Sequence, residues 1–342
     1  MKFIPTDRLE TLLDQIADKY QLIAPVREGE RCFYRPISNS GQVEWDYGRP
    51  TLSAKEIFFP PTERLLEILP LQNEEGDARV LDYQIVETIP GTERVVFGVR
   101  PCDARGLRSL DALFIEQEPV DAYYAHRRQQ TTLIGIACET MMDSCFCTTM
   151  GGAPDEREHV DLLLHRTEGG YIVDAVTERG AELFAAMTLD PWEKDLPAYD
   201  YQPGWELPDR EQLVEHFDDR YWQVMSERCM SCRLCAYVCP TCRCFDVRDE
   251  RLPTDNGGAV FERIRVWDSC ARPGYRMIAG GHNPRAEKGE RLRNRFLCKL
   301  YYYEEQYGET GCTGCGRCVD LCPVNIDITE VMHALAEREG AS

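Results

Sequence analysis

The sequence predicts an α+β / α/β protein of two units, a mixed α/β domain over residues 1–205 and a cysteine-rich domain over 206–342. Three observations carry that division. Short β-branched apolar runs alternate with helical periodicity through the first two hundred residues. The segment DPWEKDLPAYDYQPGWELPDR (190–210) then brings four prolines and little periodicity, as a linker would. Finally, twelve of the seventeen cysteines lie beyond it.

In the first unit, RLETLLDQIADKY (8–20) repeats its apolar residues at helical spacing, while DYQIVETI (82–89), RVVFGVR (94–100) and TTLIGIAC (131–138) read as strands. LRSLDALF (107–114) reads as a helix joining the last two. HVDLLLHRTEGGYIVDAV (159–176) reads as a hairpin turning at Glu168-Gly169-Gly170, followed by a helix through AELFAAM (181–187). In the second unit, EQLVEHFDDRYWQVMSER (211–228) sets Leu213, Val214, Phe217, Tyr221, Val224 and Met225 on one predicted helical face ending at Cys229. TEVMHALAERE (329–339) predicts a closing helix.

A chain of 342 residues buries its own cores without disulfide staples, so its cysteines need another explanation. Their odd number and C-x-x-C clustering suit metal ligation better than a disulfide framework. MKFIPTDRLE lacks the regions of a signal peptide and no apolar run approaches the length of a membrane span, so a cytoplasmic protein without membrane partners is expected. A formal net charge of -20 argues against nucleic acid as a partner. Residues 271–300 invert that balance, with eight Lys and Arg against Glu287 and Glu290. Cations there would offset anionic metal sites or dock an acidic partner; a solvated helix is the plain alternative.

The pattern C-x-x-C-x-x-C-x-x-x-C-P occurs twice, at Cys229, Cys232, Cys235, Cys239 and at Cys312, Cys315, Cys318, Cys322. Three cysteines at every third residue supply three corners of a cubane 4Fe-4S cluster, and in two-cluster ferredoxins the fourth of each run serves the other cluster. Cluster 1 is therefore expected on Cys229, Cys232, Cys235 and Cys322, and cluster 2 on Cys312, Cys315, Cys318 and Cys239. The second unit is then a two-cluster ferredoxin-like domain with a long insertion, about 241–311. Zinc is the main alternative, but it usually takes two separated pairs.

The insertion holds Cys242, Cys244, Cys270 and Cys298, a possible additional site, against a reading as buried small apolar residues. In the first unit, Cys102 and Cys138 follow two predicted strands, with Cys145 and Cys147 just beyond. If those strands are parallel neighbours, all four thiols meet at one sheet edge, where open α/β sheets place ligands. An additional cluster is expected there, with redox-active or structural cysteines as the alternative and Asp103 as a substitute ligand. Cys32 stands alone and is expected in packing. Neither a dinucleotide fingerprint nor a Walker A sequence is present, and no nucleophile and base pair stands out. Neither flavin nor nucleotide is expected in this chain, and catalytic residues are expected to be none.

RPCDARGL, CETMMDSCFCTTMGG, CPTCRCFDV, DSC followed by AGGHNPR, and CTGCGRCVDLCPVNI together resemble one family. It is the 4Fe-4S dicluster family that includes the β-subunit of NAD(P)-linked nickel-iron hydrogenases (sulfhydrogenases) and the corresponding iron-sulfur subunit of anaerobic sulfite reductases. The likeness spans about residues 50 to 330. It implies a non-catalytic electron-transfer subunit that links catalytic hydrogenase or sulfite reductase subunits, the hydrogenase favoured, to a flavin/NAD(P)H-binding subunit. A sulfur or disulfide reductase acting through the N-terminal cysteines is the competing reading.

Overall fold

The computed structural model describes residues 1–70, 83–89, 91–185, 187, 189–197, 199, 201, 204–253 and 260–338. Asp82, Ala186 and Glu339, at the edges of three predicted elements, lie outside the described residues. Twelve strands form two sheets: β1 Lys2–Pro5, β2 Gln21–Glu28, β3 Arg31–Ile37, β4 Thr62–Pro70, β5 Tyr83–Glu87, β6 Arg94–Val99, β7 Thr131–Ile136, β8 Leu162–Thr167, β9 Gly170–Ala175, β10 Asp190–Pro191, β11 Phe245–Leu252 and β12 Val260–Trp267.

The larger sheet runs β10-β1-β9-β8-β7-β6-β2-β3, and its centre, β2 to β6 to β7 to β8, is parallel. Both faces of these strands are covered, which is why β7 reads as an unbroken apolar or small run. On one face lies the helix Thr6–Ala17, whose Leu9, Leu12, Leu13 and Ile16 fall at helical spacing against Val95, Phe97, Ile134 and Leu164. The opposite side chains, Val96, Leu133 and Leu163, pack against Leu107, Leu110 and Phe114 of the helix Pro101–Phe114. That helix joins β6 to β7, as the sequence predicts, and Pro101 sits in its first turn where no intrahelical N–H is needed. The β8–β9 hairpin pairs Thr167 with Gly170 across Glu168-Gly169.

Two predicted helices differ. The helix after the hairpin spans Glu178–Leu183, capped by Thr177, whose side chain accepts from the Gly180 N–H; Phe184 already lies beyond it. The single helix expected over 211–228 is two, Arg210–Glu215 and Tyr221–Arg228. The break has a local cause: the Asp219 carboxylate accepts from the Tyr221 N–H at 2.6 Å and restarts the helix. The phase shift turns Trp222 and Met225 inward and leaves Val214 and Val224 exposed.

The second sheet runs β11-β12-β4-β5, so it draws two strands from before residue 205 and two from the insertion. Its junction is ionic. Buried Glu63 on β4 is gripped by Arg265 on β12, whose Nε donates at 2.9 Å, and by Arg127. A network of this kind holds two segments in one register, since a lone partner left behind would be a buried unpaired charge.

Candidate metal centre

The helix Tyr221–Arg228 delivers Cys229 as its C-terminal cap. The chain then winds through two left-handed residues, Ser231 (φ 54°) and Arg233 (φ 71°), so that Cys229, Cys232 and Cys235 face one cavity. Cys322 lines the same cavity, and Cys318 borders it. The second loop repeats the path with Gly314 (φ 63°) and Gly316 (φ 72°). Its Cys312, Cys315 and Cys318 face a second cavity together with Cys239. The fourth cysteine of each run thus lies with the other run's triplet. Backbone amides reach two of these sulfurs, Ser231 N–H to Cys229 Sγ at 3.4 Å and Ile326 N–H to Cys322 Sγ at 3.2 Å.

Cys102 is the second residue of the helix after β6, and Cys138 stands two residues beyond β7. Because β6 and β7 are parallel neighbours, both thiols emerge at the carboxyl edge of the sheet, where Cys145 and Cys147 join them around a third cavity. Cys315 of the second loop also lines it. Contact between the loops is direct: the Phe146 N–H donates to the Gly314 carbonyl at 2.8 Å. Arg49 Nη1 donates to Cys145 Sγ at 3.0 Å.

The insertion cysteines divide. Cys244 is within hydrogen-bonding reach of both Cys242 and Cys270, with the Tyr275 hydroxyl beside it. Cys298 instead opens the π-helical turn Cys298–Tyr302 and accepts from Arg243 Nη1 at 3.8 Å; among the described residues no contact ties it to the other three. Cys32 is buried on β3, and burial, the leading cause, pushes its thiol up to about 11.

Asp103 is not free to act as a ligand. Its carboxylate accepts both arms of buried Arg317, at 2.5 and 2.8 Å, and also the Ala54 N–H. That pair fastens the second loop to the start of the helix carrying Cys102.

Cations surround these thiols. Lys288, Arg291, Arg295 and Lys299 fall along one stripe of the Lys288–Leu297 helix and its extension, and the last three are buried. Arg295 is 4 % exposed and lines both the first and the second cavity. Its Nη2 donates to the Cys235 carbonyl at 2.9 Å, while its Nε and Nη1 are buried with no partner among the described residues. Lys299 Nζ donates to Thr241 Oγ1 at 2.7 Å. Lys55, 2 % exposed, reaches the carbonyls of Ala236, Tyr237 and Cys242 and lies over the Trp267 ring. Arg100 donates to the Ile136, Ala137 and Tyr47 carbonyls beside the third cavity. Among the described residues none of Arg100, Arg291, Arg295, Lys55 or Lys299 pairs with a carboxylate, although burying an unpaired cation costs several kcal/mol.

The thiols are the available counter-charges. Burial alone would raise the Cys239 thiol, but Lys299 and Arg295 more than reverse it and bring it down to about 7. Burial lowers Lys55 to about 8 against the opposing pull of Cys242 and Cys239. A single zinc ion, with Zn–S of about 2.3 Å, would draw its thiolates to roughly 3.8 Å of one another. Among the described residues no three thiols lie mutually within 4.8 Å; the one described group that close is Glu156, Glu158 and His159. Wide four-thiol cradles with unspent buried donors fit a polynuclear anionic cluster better than one ion. Sequence reasoning missed Lys55 and the unpaired state of Arg295. For Arg295 a signal existed, in the three- and four-residue spacing of the cations on one helix stripe; Lys55 in SAKEIFF carries none.

Comparison with known proteins agrees with this chemistry. The model of a 4Fe-4S dicluster domain matches residues 228–326. The β-subunit of sulfhydrogenase 2 from Pyrococcus furiosus is 30% identical over 335 residues, covering 93% of this chain and 92% of its own length. No solved structure matches the chain. Among the described residues no helix is long and apolar enough to cross a membrane.

Proposed function

The chain belongs to the 4Fe-4S dicluster family of sulfhydrogenase β-subunits, and from that premise we propose that it relays electrons between the catalytic subunit of a nickel-iron hydrogenase and a flavin/NAD(P)H-binding subunit. The observation that carries this reading is continuity. Cys318 borders both the first and the second thiol cavity, and Cys315 both the second and the third. A line of sites with shared walls joins the loop at Cys232 to the sheet edge at Cys138.

In this proposal Cys229, Cys232, Cys235 and Cys322 hold one cluster, Cys312, Cys315, Cys318 and Cys239 a second, and Cys102, Cys138, Cys145 and Cys147 a third. When bound, each cluster supplies one-electron chemistry at a potential set by charge, hydrogen bonds and burial. The chain's own residues do the rest. Arg295, Lys299 and Arg100 balance anionic charge, buried apolar side chains such as Phe146 and Phe296 exclude water, and Arg317 with Asp103 fixes the second loop against the third site. Cys242, Cys244 and Cys270 make a fourth site only if Cys298 turns to join them.

Iron and acid-labile sulfide analysis of the full chain tests the count: about twelve irons are expected, about eight would remove the N-terminal cluster and about sixteen would add the insertion site. The isolated chain should be reduced by dithionite yet turn over neither hydrogen nor NAD(P)H alone. One feature favours a second reading, reduction of a sulfur or disulfide substrate. Cys138 also borders a polar cavity with Trp45, Glu139 and Arg166. Turnover of polysulfide by the purified single chain would favour that reading over the relay.

A further inference from the structure

The two repeat loops share a path but not an environment. In the second, every residue from Thr313 to Arg317 is buried under the N-terminal sheet edge. In the first, Cys232 is exposed, alone among the seventeen cysteines. Met230 is 66% exposed and Leu234 39%. These side chains and the partly exposed Arg233 and Lys288 line the same cavity as Cys229 and Cys235, and no residue lining that cavity is acidic.

We propose that the Cys232 loop is a docking face for an electron-transfer protein that presents an acidic rim around an apolar centre. Met230 and Leu234 supply the apolar contact, while Arg233 and Lys288 supply the rim charges. Arg291 and Arg295 line the same cavity from within and are buried, so they serve the thiols and not the partner. Charge complementarity selects the partner despite the chain's net charge of -20. The Debye length is about 10 Å at 0.1 M ionic strength, so a docking protein responds to charges around the contact and not to the whole molecule. Such rim charges act mainly on the association rate.

The inference rests on the relay reading, because an exposed thiol passes electrons only if it ligates a cluster. The step is a one-electron transfer: the reduced cluster is oxidised, the partner's redox centre is reduced, and neither proton nor group moves.

The test uses the full chain reduced by dithionite, with excess reductant removed, mixed in a stopped-flow instrument with plastocyanin bearing an acidic patch or with basic mitochondrial cytochrome c. Both accept electrons from low-potential clusters. At 0.1 M ionic strength, Arg233→Glu should slow plastocyanin reduction about tenfold and speed cytochrome c reduction. Arg31→Glu, on the edge strand β3, should leave both rates within about twofold. Arg233→Gln, the milder change, should give an intermediate effect and covers the case in which the glutamate variant misfolds. Equal effects of Arg233→Glu and Arg31→Glu, or no effect of either Arg233 variant, would overturn the proposal. Failure of the underlying reading looks different: the chain carries no iron, or dithionite does not bleach it, before any partner is added.

Discussion

Cys229-Met-Ser-Cys-Arg-Leu-Cys235 and Cys312-Thr-Gly-Cys-Gly-Arg-Cys318 follow the same backbone path for opposite reasons of composition. Both need left-handed residues at their third and fifth positions. The second loop uses glycine at each, the first uses Ser231 and Arg233, which costs about 1–2 kcal/mol per residue. Dihedral preference therefore does not explain the glycines alone. A Cβ at Gly314 would collide with the Phe146 carbonyl, and one at Gly316 with the Ser144 carbonyl. Glycine is fixed where another backbone lies against the loop, and a side chain is tolerated where the loop faces outward. The sixth position repeats the contrast: Arg317, 1 % exposed, is locked to Asp103, while its counterpart Leu234 is open.

The largest test breaks that lock. Asp103→Asn leaves Arg317 buried without a counter-charge, and unfolding by denaturant should show a loss of about 3–5 kcal/mol. Iron should fall at the third and second sites before the first, because Asp103 sits beside Cys102 and Arg317 beside Cys318. An unchanged denaturation midpoint would mean that the second loop is held by its backbone contacts alone.

Next comes Gly316→Ala, which adds one methyl group against the Ser144 carbonyl. Overpacking and the left-handed conformation together predict a cost of roughly 2–4 kcal/mol, read from the same denaturation curves. The matching change in the first loop, Arg233→Ala, meets no such wall and should alter stability by less than about 1 kcal/mol. Equal costs at the two positions would erase the distinction between a covered and an open loop.

Arg295 tests what the loops share. It lines both cavities with two unspent N–H groups, so Arg295→Gln removes positive charge from both at once. Reduction becomes harder where a cation is lost, and potentiometric titration should show two clusters shifted down by about 60 mV, tenfold in a one-electron equilibrium. A shift confined to one cluster would assign the residue to a single site.

Much of this was legible in the chain. Parallel β6 and β7, joined by one helix, followed from short apolar runs flanking LRSLDALF, and their order alone brings Cys102 and Cys138 to one edge. The crossing of Cys239 and Cys322 could be read from the doubled motif, since no single loop supplies a fourth corner. Long-range contact was less legible. That β4 and β5 continue the β11–β12 hairpin depends on Glu63 meeting Arg265 some two hundred residues later, and a single sequence carries no sign of that pairing. The helix break at Asp219 was missed for a smaller reason. Apolar spacing in 211–228 tolerates one continuous helix, and only the side-chain cap at Tyr221 decides against it. Asp103 was read as a substitute ligand because it neighbours Cys102, while its partner Arg317 lies in the other half of the chain.

The smallest effect probes the strain itself. Ser231 holds φ 54° with its neighbours open, so Ser231→Gly relieves the left-handed penalty without creating a collision. Part of the gain is returned, because glycine also widens the unfolded ensemble. The net should be a stabilisation of at most about 1 kcal/mol, a rise in melting temperature of no more than about 2–3 °C. The reciprocal Gly314→Ser should lower the melting temperature by more, since its Cβ runs into the Phe146 carbonyl. If both changes were neutral, the close seat of the second loop on residues 144–147 would carry no energetic weight. If Ser231→Gly destabilised, Ser231 would be making a contact that offsets its own strain, and the first loop would be less open than its exposed cysteine implies.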